Sequence, residues 1–292
     1  MKAAAFDYVR ATSLPHALAL LAEHGMDAKL VAGGQSLVPM MAMRLARPAL
    51  LVDINRLEEL KTLHIQTECV RMGATLRQCD VEHHPTLHQQ LPLVRDALRW
   101  VGHVQTRNRG TVGGSLVHAD PSAELPLAAL VLGARLHVRG PGGAARMVNA
   151  TDFFIGTMFT AVGDTECLFE IEWPVWALPA GHRINTAFDE TAMREGDFAM
   201  ASAACQLQLD EAGVCHRAAM GMGGMDGVPL AFSDLAAQLV GQRVTTTLAL
   251  DIAHAAAQRT QPGSDLHADA DYRRELGTVL LQRVLERAGA AH

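Results

Sequence analysis

What this sequence lacks narrows its chemistry first. None of its five cysteines, Cys69, Cys79, Cys167, Cys205 and Cys215, stands in a C-x2-C pair, and the number is odd. Neither a zinc nor an iron–sulfur centre is therefore expected within the chain, and a reducing cytoplasm is the expected compartment. No apolar run approaches the ~20 residues that cross a bilayer; the longest candidate, "LPLAALVLGA", stops at Arg135. The N-terminal "MKAAAFDYVRATS" has no apolar core of signal-peptide length. Basic residues are scattered and the net charge is −6, which leaves no basic patch for nucleic acid. No G-x-S-x-G offers a serine nucleophile, and there is no Rossmann or Walker loop. "GMGGMDG", residues 221–227, fails G-x-G-x-x-G because its sixth position is Asp226; it reads as a strand end and turn.

What is present is an ordinary globular composition, 49% hydrophobic and 19% charged over 292 residues, long enough for two domains. Residues 13–25 predict a helix, with Ser13 as cap, Pro15 in the first turn and Gly25 at the end. "KLVA" and "LLVDI" predict short buried strands, so the first 55 residues form an α/β-type unit. "LHIQ" and "VRMG" suggest a small sheet, and residues 90–101 an amphipathic helix with Leu91, Val94, Leu98 and Val101 inward. "ARLHVRG" and "ARMVNA" read as a hairpin, and "CLFEIEWP" as a strand closed by Pro174. Beyond a linker at 176–183, "FAMASAACQLQLD" and "VCHRAAMGMGG" predict a second hairpin, followed by three helices. The last of these carries Tyr272, Leu276, Leu280 and Val284 in one stripe. Strands followed by helices make the second domain α+β.

Two glycine loops carry the functional signal. In "KLVAGGQSLVPMM" a strand runs into Gly33, Gly34, Gln35 and Ser36, a row of backbone N–H groups suited to an anion. In "QTRNRGTVGGSLVHADPSAELP", Gly110, Gly113 and Gly114 interleave with Thr111 and Ser115, so N–H groups and hydroxyls could wrap a pyrophosphate without a fixed cation. Arg107 and Arg109 read as solvated surface charges. Asp120 and Glu124 are carboxylates that could accept from ribose or ribityl hydroxyls, or cap a helix. A dinucleotide with an extended pyrophosphate could be gripped by both loops.

Those two motifs, in "AGGQSLVPMMAMRLARPALLVDIN" and "TRNRGTVGGSLVHADPSAELP", closely resemble the flavin-binding medium subunit of the molybdenum hydroxylases, the family of carbon monoxide dehydrogenase and xanthine dehydrogenase. "REGDFAM", "AMGMGGMDGVPL" and "DADYRRELGTVLLQRVL" resemble the C-terminal domain of the same family. The resemblance implies an α+β chain: a two-subdomain FAD-binding domain over 1–175, divided near 56, of the type shared with p-cresol methylhydroxylase. A smaller domain of antiparallel sheet and helices follows over 184–292. It implies one noncovalent FAD, its pyrophosphate wrapped by Ala32, Gly33, Gly34, Gln35 and Ser36 and by Thr111, Gly113, Gly114 and Ser115. Lys29, Leu30, Val31 and Thr106 complete the implied cofactor-binding set. Asp120 and Glu124 would lie near the ribityl chain and flavin, and Leu168 would make a backbone contact to the ring. Some xanthine dehydrogenase-type relatives carry a lysine near the flavin where this chain has Asp189 and Glu190, so their acceptor chemistry is not carried over.

The resemblance further implies partners: a small subunit with two-iron iron–sulfur clusters and a large subunit with molybdenum cofactor, assembled as a dimer of heterotrimers. No residue of this chain is expected to act as acid, base or nucleophile on the organic substrate, and no metal is expected in it. Two other classes stay open. One is a self-contained flavin oxidase of the vanillyl-alcohol-oxidase type. The other is a scaffold that has lost its flavin. His118, in the second loop, could touch a flavin. His83, His84 and His88 read as a surface cluster, because Pro85 breaks the helix between them and no carboxylate completes a metal set.

Overall fold

The computed structural model describes residues 2–290; Met1, Ala291 and His292, at the outer ends of the two expected domains, lie outside the described residues. The described residues build three larger sheets and a two-stranded ribbon. The first sheet is parallel, with strand order β1 (Asp7–Arg10), β3 (Leu50–Asp53), β2 (Ala28–Val31). All four residues of β3 are buried, as expected of a central parallel strand covered on both faces. The helix Leu14–His24 lies on this sheet through Leu14, Ala17, Leu18 and Leu21. Ser13 caps it, its hydroxyl accepting from the His16 N–H at 3.2 Å. β1 had no signature in the sequence: its residues are mostly exposed and do not alternate.

The second sheet is antiparallel, with order β4 (Leu63–Ile65), β5 (Cys69–Gly73), β10 (Cys167–Pro174), β6 (Arg135–Arg139), β7 (Ala145–Asn149). β8 (Phe154–Gly156) and β9 (Phe159–Thr160) form a small ribbon beside it. The expected helix over 90–101 is instead two pieces, Leu87–Gln90 and Pro92–Leu98. A residue before proline is pushed out of the helical region, and Leu91 sits at φ −128, ψ 59. Leu91, Val94, Leu98 and Val101 are nevertheless all buried. The helix Glu124–Leu132 is apolar nearly all round because it is covered on both sides, by β10 and by strands of the third sheet.

The third sheet has order β11 (His182–Thr191), β12 (Ala201–Asp210), β13 (Cys215–Gly223), β14 (Leu230–Ala231), all antiparallel. The helices Thr246–Ala257 and Ala270–Gly289 cover one face and the second subdomain covers the other. Nine of the ten residues of β12 are accordingly buried. β11 was not anticipated and begins at His182, inside the expected linker. Of the predicted stripe on the last helix, Leu280 and Val284 are buried while Tyr272 is exposed. "GMGGMDG" is the end of β13 and a turn, with Gly224 at φ 70. No helix among the described residues is long and apolar enough to cross a membrane.

Candidate functional site

The cleft of about 580 Å³ between these units collects residues from Lys29 to Phe198. The loop after β2, the start of the helix Val112–His118, the first residue of the helix Glu124–Leu132 and the start of β10 all line it. Of the sixteen residues expected at a cofactor site, fifteen line this cleft: residues 29–36, Thr106, Thr111, Gly113, Gly114, Ser115, Glu124 and Leu168. Asp120 does not. Its carboxylate turns back to accept from the Ser122 N–H at 2.9 Å, the turn-closing use of aspartate before a helix.

The two glycine loops differ in what they have left to offer. In the first, Gly34 takes φ 72, a conformation that favours glycine. Gln35 folds its side-chain amide onto the Gly33 carbonyl at 3.0 Å. Among the described residues, the N–H groups of Gly33, Gly34, Gln35 and Ser36 have no protein acceptor. In the second loop the N–H groups are already engaged. Val112 donates to the Leu76 carbonyl at 3.0 Å and Gly113 to that of Ala74 at 2.9 Å. Gly114 donates to the Thr111 hydroxyl at 3.1 Å, and Ser115 to the Thr111 carbonyl at 3.2 Å. The second loop was expected to offer both N–H groups and hydroxyls; the N–H groups of Val112, Gly113, Gly114 and Ser115 are engaged within the chain, which leaves its hydroxyls.

The glycines also serve the contact between the loops. A Cβ on Gly33 would run into the Arg109 carbonyl, and one on Gly113 into Ala74. A polar network absent from the sequence reading holds this contact. The Arg77 guanidinium donates to the Arg109 carbonyl and, at 2.8 Å, to the Asn55 side-chain oxygen. Asn55 donates its amide to the Ala32 carbonyl at 2.6 Å and to Asp53 at 2.7 Å. Tyr8 donates its hydroxyl to Asp53. Burial alone would raise the Asp53 pKa, but the hydrogen bonds from Tyr8 and Asn55 and the charge of Arg10 hold it below the usual carboxylate value. Asn55 directly follows the strand motif "LLVDI", which was the available signal.

Other side chains complete the picture. Arg107 is not a solvated charge. It pairs with Glu82 at 2.7 Å and donates to the Val101 carbonyl at 2.9 Å. Burial pushes Glu124 up to about 7. It also pushes the Cys167 thiol, on the cleft wall, up to about 12, so no thiolate faces the cleft. Burial lowers His118, which also lines the cleft. Gly196, Asp197 and Phe198 reach the same cleft from the loop between β11 and β12, a contribution no local motif announced. His83 turns its ring to the Cys79 carbonyl at 2.8 Å and His84 turns to Thr86. No cluster of three potential ligands for a metal occurs among the described residues.

Comparison with known proteins gives this arrangement its relatives. Residues 4–176 match the family described as the FAD binding domain in molybdopterin dehydrogenase, and residues 186–288 match the CO dehydrogenase flavoprotein C-terminal domain. The chain belongs to this flavoprotein family. It is 37% identical over 288 residues to the 6-hydroxypseudooxynicotine dehydrogenase complex subunit alpha of Paenarthrobacter nicotinovorans, covering 99% of this chain and 96% of the relative. The structure of carbon monoxide dehydrogenase from Hydrogenophaga pseudoflava superposes with a TM-score of 0.93 at 33% identity, covering 100% of both chains. Quinoline 2-oxidoreductase from Pseudomonas putida 86 gives 0.91 at 35% identity, covering 99% of this chain and 98% of that one. The first of these relatives is named as a subunit of a dehydrogenase complex, and the full-length matches support the two-domain α+β reading.

Proposed function

We propose that this chain is the FAD-carrying electron-transfer subunit of a cytoplasmic molybdenum dehydrogenase, built as a dimer of heterotrimers with a small iron–sulfur and a large molybdenum-cofactor subunit. The observation that carries the reading is the row of unengaged N–H groups at residues 33–36 facing the second glycine loop across one cleft. Bound FAD supplies the exchange between one-electron donors and an external acceptor.

The protein's part is to bind and orient. The N–H groups of residues 33–36 meet the pyrophosphate. The Ser115 hydroxyl adds a donor, while the Thr111 hydroxyl holds the backbone of Gly114. Glu124 and the backbone at Leu168, which line the same cleft, would hold the ribityl and ring end. Cys167 stays protonated, which fits a cofactor held without a covalent bond. Asp120 shapes the turn that delivers Glu124. The organic substrate is handled by the molybdenum subunit, so no side chain here acts on it. Residues 176–183 join the cofactor domain, 1–175, to the domain 184–292.

Reconstitution tests the reading. The purified chain should be yellow and should not oxidise small organic substrates. Turnover with an artificial acceptor should arise only when the iron–sulfur and molybdenum subunits are co-expressed with it. A single purified chain turning over an organic substrate at a normal enzymatic rate, on the order of 10 per second, would refute the subunit role.

A further inference from the structure

One buried carboxyl group, Glu124, lines the cleft, and a second, Glu190, lies off it. Phe188 on β11 and its partner Ala204 on β12 belong to the core of the second subdomain, whereas Ala187 and its partner Cys205 belong to the core under the long helices. Side chains two positions apart on a strand share a face. Glu190 and its partner Ser202 therefore face the second subdomain, while Asp189 faces the other way and pairs with Arg287 at 2.7 Å. The Ser202 hydroxyl lies next to Gly223, where an added Cβ would also come within 3.3 Å of the Pro121 carbonyl. That turn leads directly into Glu124. Glu190 and Ser202 thus stand at the base of the helix that Glu124 begins.

The cations nearby are not paired with either carboxyl. Glu124 is 7% exposed and Glu190 8%. Neither has an ion-pair partner among the described residues, and the nearby Arg107 is committed to Glu82. One Glu190 oxygen, Oε2, and the Ser202 hydroxyl are buried without hydrogen-bond partners. Asp120 and Arg107 act on Glu124 with opposite signs, and Asp189 acts on Glu190 with a charge of the same sign. His118 and Asp197 line the cleft, and Asp96, Arg99, His103, Arg107, Arg194, Glu195 and Arg287 line a second cavity. Two buried carboxylates with no paired cation cannot both ionise at moderate cost.

The two groups also face different spaces. Glu124 lines the cofactor cleft; Glu190 lines the second cavity, of about 1190 Å³, and the two cavities share Gly102 and Gly196 on their walls. We propose that Glu124 and Glu190 form a buried carboxyl pair that holds one proton at rest and takes up a second when the cofactor in the cleft gains negative charge. The inference rests on the flavin-subunit reading, because iron–sulfur clusters of a partner deliver electrons without protons. Water in the second cavity would protonate Glu190, and Glu190 would pass a proton to Glu124. When electrons leave for the acceptor, the proton returns by the same route. No bond other than O–H forms or breaks, and the electrons come from the partner's clusters.

The test has two arms on the full-length chain. In the first, carboxyl-13C NMR with labelled glutamate is recorded without any need for cofactor. The wild type should retain a protonated carboxyl at pH 7.5, and Glu190→Gln should lose that signal. Absence of a protonated glutamate in the wild type overturns the proposal, whether or not the chain binds flavin. In the second, the FAD-loaded protein is photoreduced at pH 8 in weak buffer with a pH indicator. The double variant Glu124→Gln/Glu190→Gln should take up about one proton fewer per flavin than the wild type. Equal uptake at equal flavin content overturns the redox link. If the double variant does not retain flavin, Glu124→Gln alone serves, with the same two outcomes. A wild-type chain that binds no FAD would fail the subunit reading, and the NMR arm would still decide whether the pair holds its proton.

Discussion

The Arg77 guanidinium and the Asn55 side-chain oxygen stand 2.8 Å apart, and between them they hold both glycine loops. Asn55 fixes the first through the Ala32 carbonyl at 2.6 Å, and Arg77 fixes the second through the Arg109 carbonyl. The antiparallel bridge between Arg77 and Thr111, and the Gln78 N–H donating to Gly110 at 3.0 Å, extend the same contact. The distance between the loops is therefore set by side chains that do not line the cleft.

Arg77→Ala should weaken FAD retention more than it weakens the fold. Losing a charge-assisted hydrogen bond to a carbonyl costs ~1.5–3 kcal/mol, and here the loss is felt where the two loops must stay in register. The expected result is roughly a 10- to 100-fold rise in the FAD dissociation constant, with a circular-dichroism spectrum like the wild type. Flavin titration checks it, and Asn55→Ala should fall in the same range. Unchanged flavin affinity in both variants would show that the loops keep their spacing without the network.

Much of this site was legible in the sequence, and what was not has physical reasons. A strand ending in Gly33-Gly34 and a helix start at Thr111 are local patterns, so the loops could be read before any fold was known. The network of Tyr8, Asp53, Asn55 and Arg77 joins residues as far as 45 positions apart, and no local pattern carries such pairing. Asp120 and Glu124 looked equivalent as carboxylates. One turn of chain separates a residue that closes its own turn from one that enters the cleft. β11 went unread because its burial alternates only where it meets the second subdomain, and its polar start resembles a linker. The break at Leu91 needed only the proline rule, which the apolar spacing of residues 90–101 outweighed.

Cofactor identity follows from the cleft's two ends. A row of N–H groups at residues 33–36 faces a second phosphate-sized surface at Thr111 and Ser115, which suits a dinucleotide better than a mononucleotide with one phosphate. Acid treatment should release FAD close to one per chain, free of the precipitate. Recovery of FMN, or of flavin that stays with the protein, would contradict both the two-loop grip and the protonated state of Cys167.

The glycines of the two loops should respond differently to substitution. Gly33→Ala drives a Cβ into the Arg109 carbonyl, so it should cost ~1–3 kcal/mol of stability as overpacking does and lose flavin as the loops separate. At Gly114 the nearest atom to an added Cβ is the Thr111 hydroxyl at 2.5 Å, with the Thr111 Cβ next at 3.9 Å. Gly114→Val should therefore fold, lose up to ~0.5–2 kcal/mol through the weakened helix cap, and bind less flavin. Thermal melts with flavin content measured in parallel separate the two. Full yellow occupancy in Gly114→Val would show that the second loop is a turn with no part in binding.

Glu190 should make the protein's stability fall as pH rises. Burial, reinforced by the neighbouring charges of Glu124 and Asp189, pushes its folded-state pKa up to about 9, well above the ~4.3 of an unfolded glutamate. A carboxyl shifted in that direction contributes its stability fully below the unfolded pKa. Above that value the unfolded chain has released the proton while the folded chain still holds it. Stability is therefore lost progressively from about pH 4.3 up to about 9. Glu190→Gln keeps the shape and removes the titration. The variant should match the wild type near pH 5 and exceed it near pH 9 by ~1–3 kcal/mol, the scale of an unpaired buried polar group. Urea unfolding at the two pH values checks this. A variant that is less stable than the wild type at both, by the same amount, would mean that Glu190 is a satisfied structural carboxylate, and its burial beside Glu124 would have no bearing on protons.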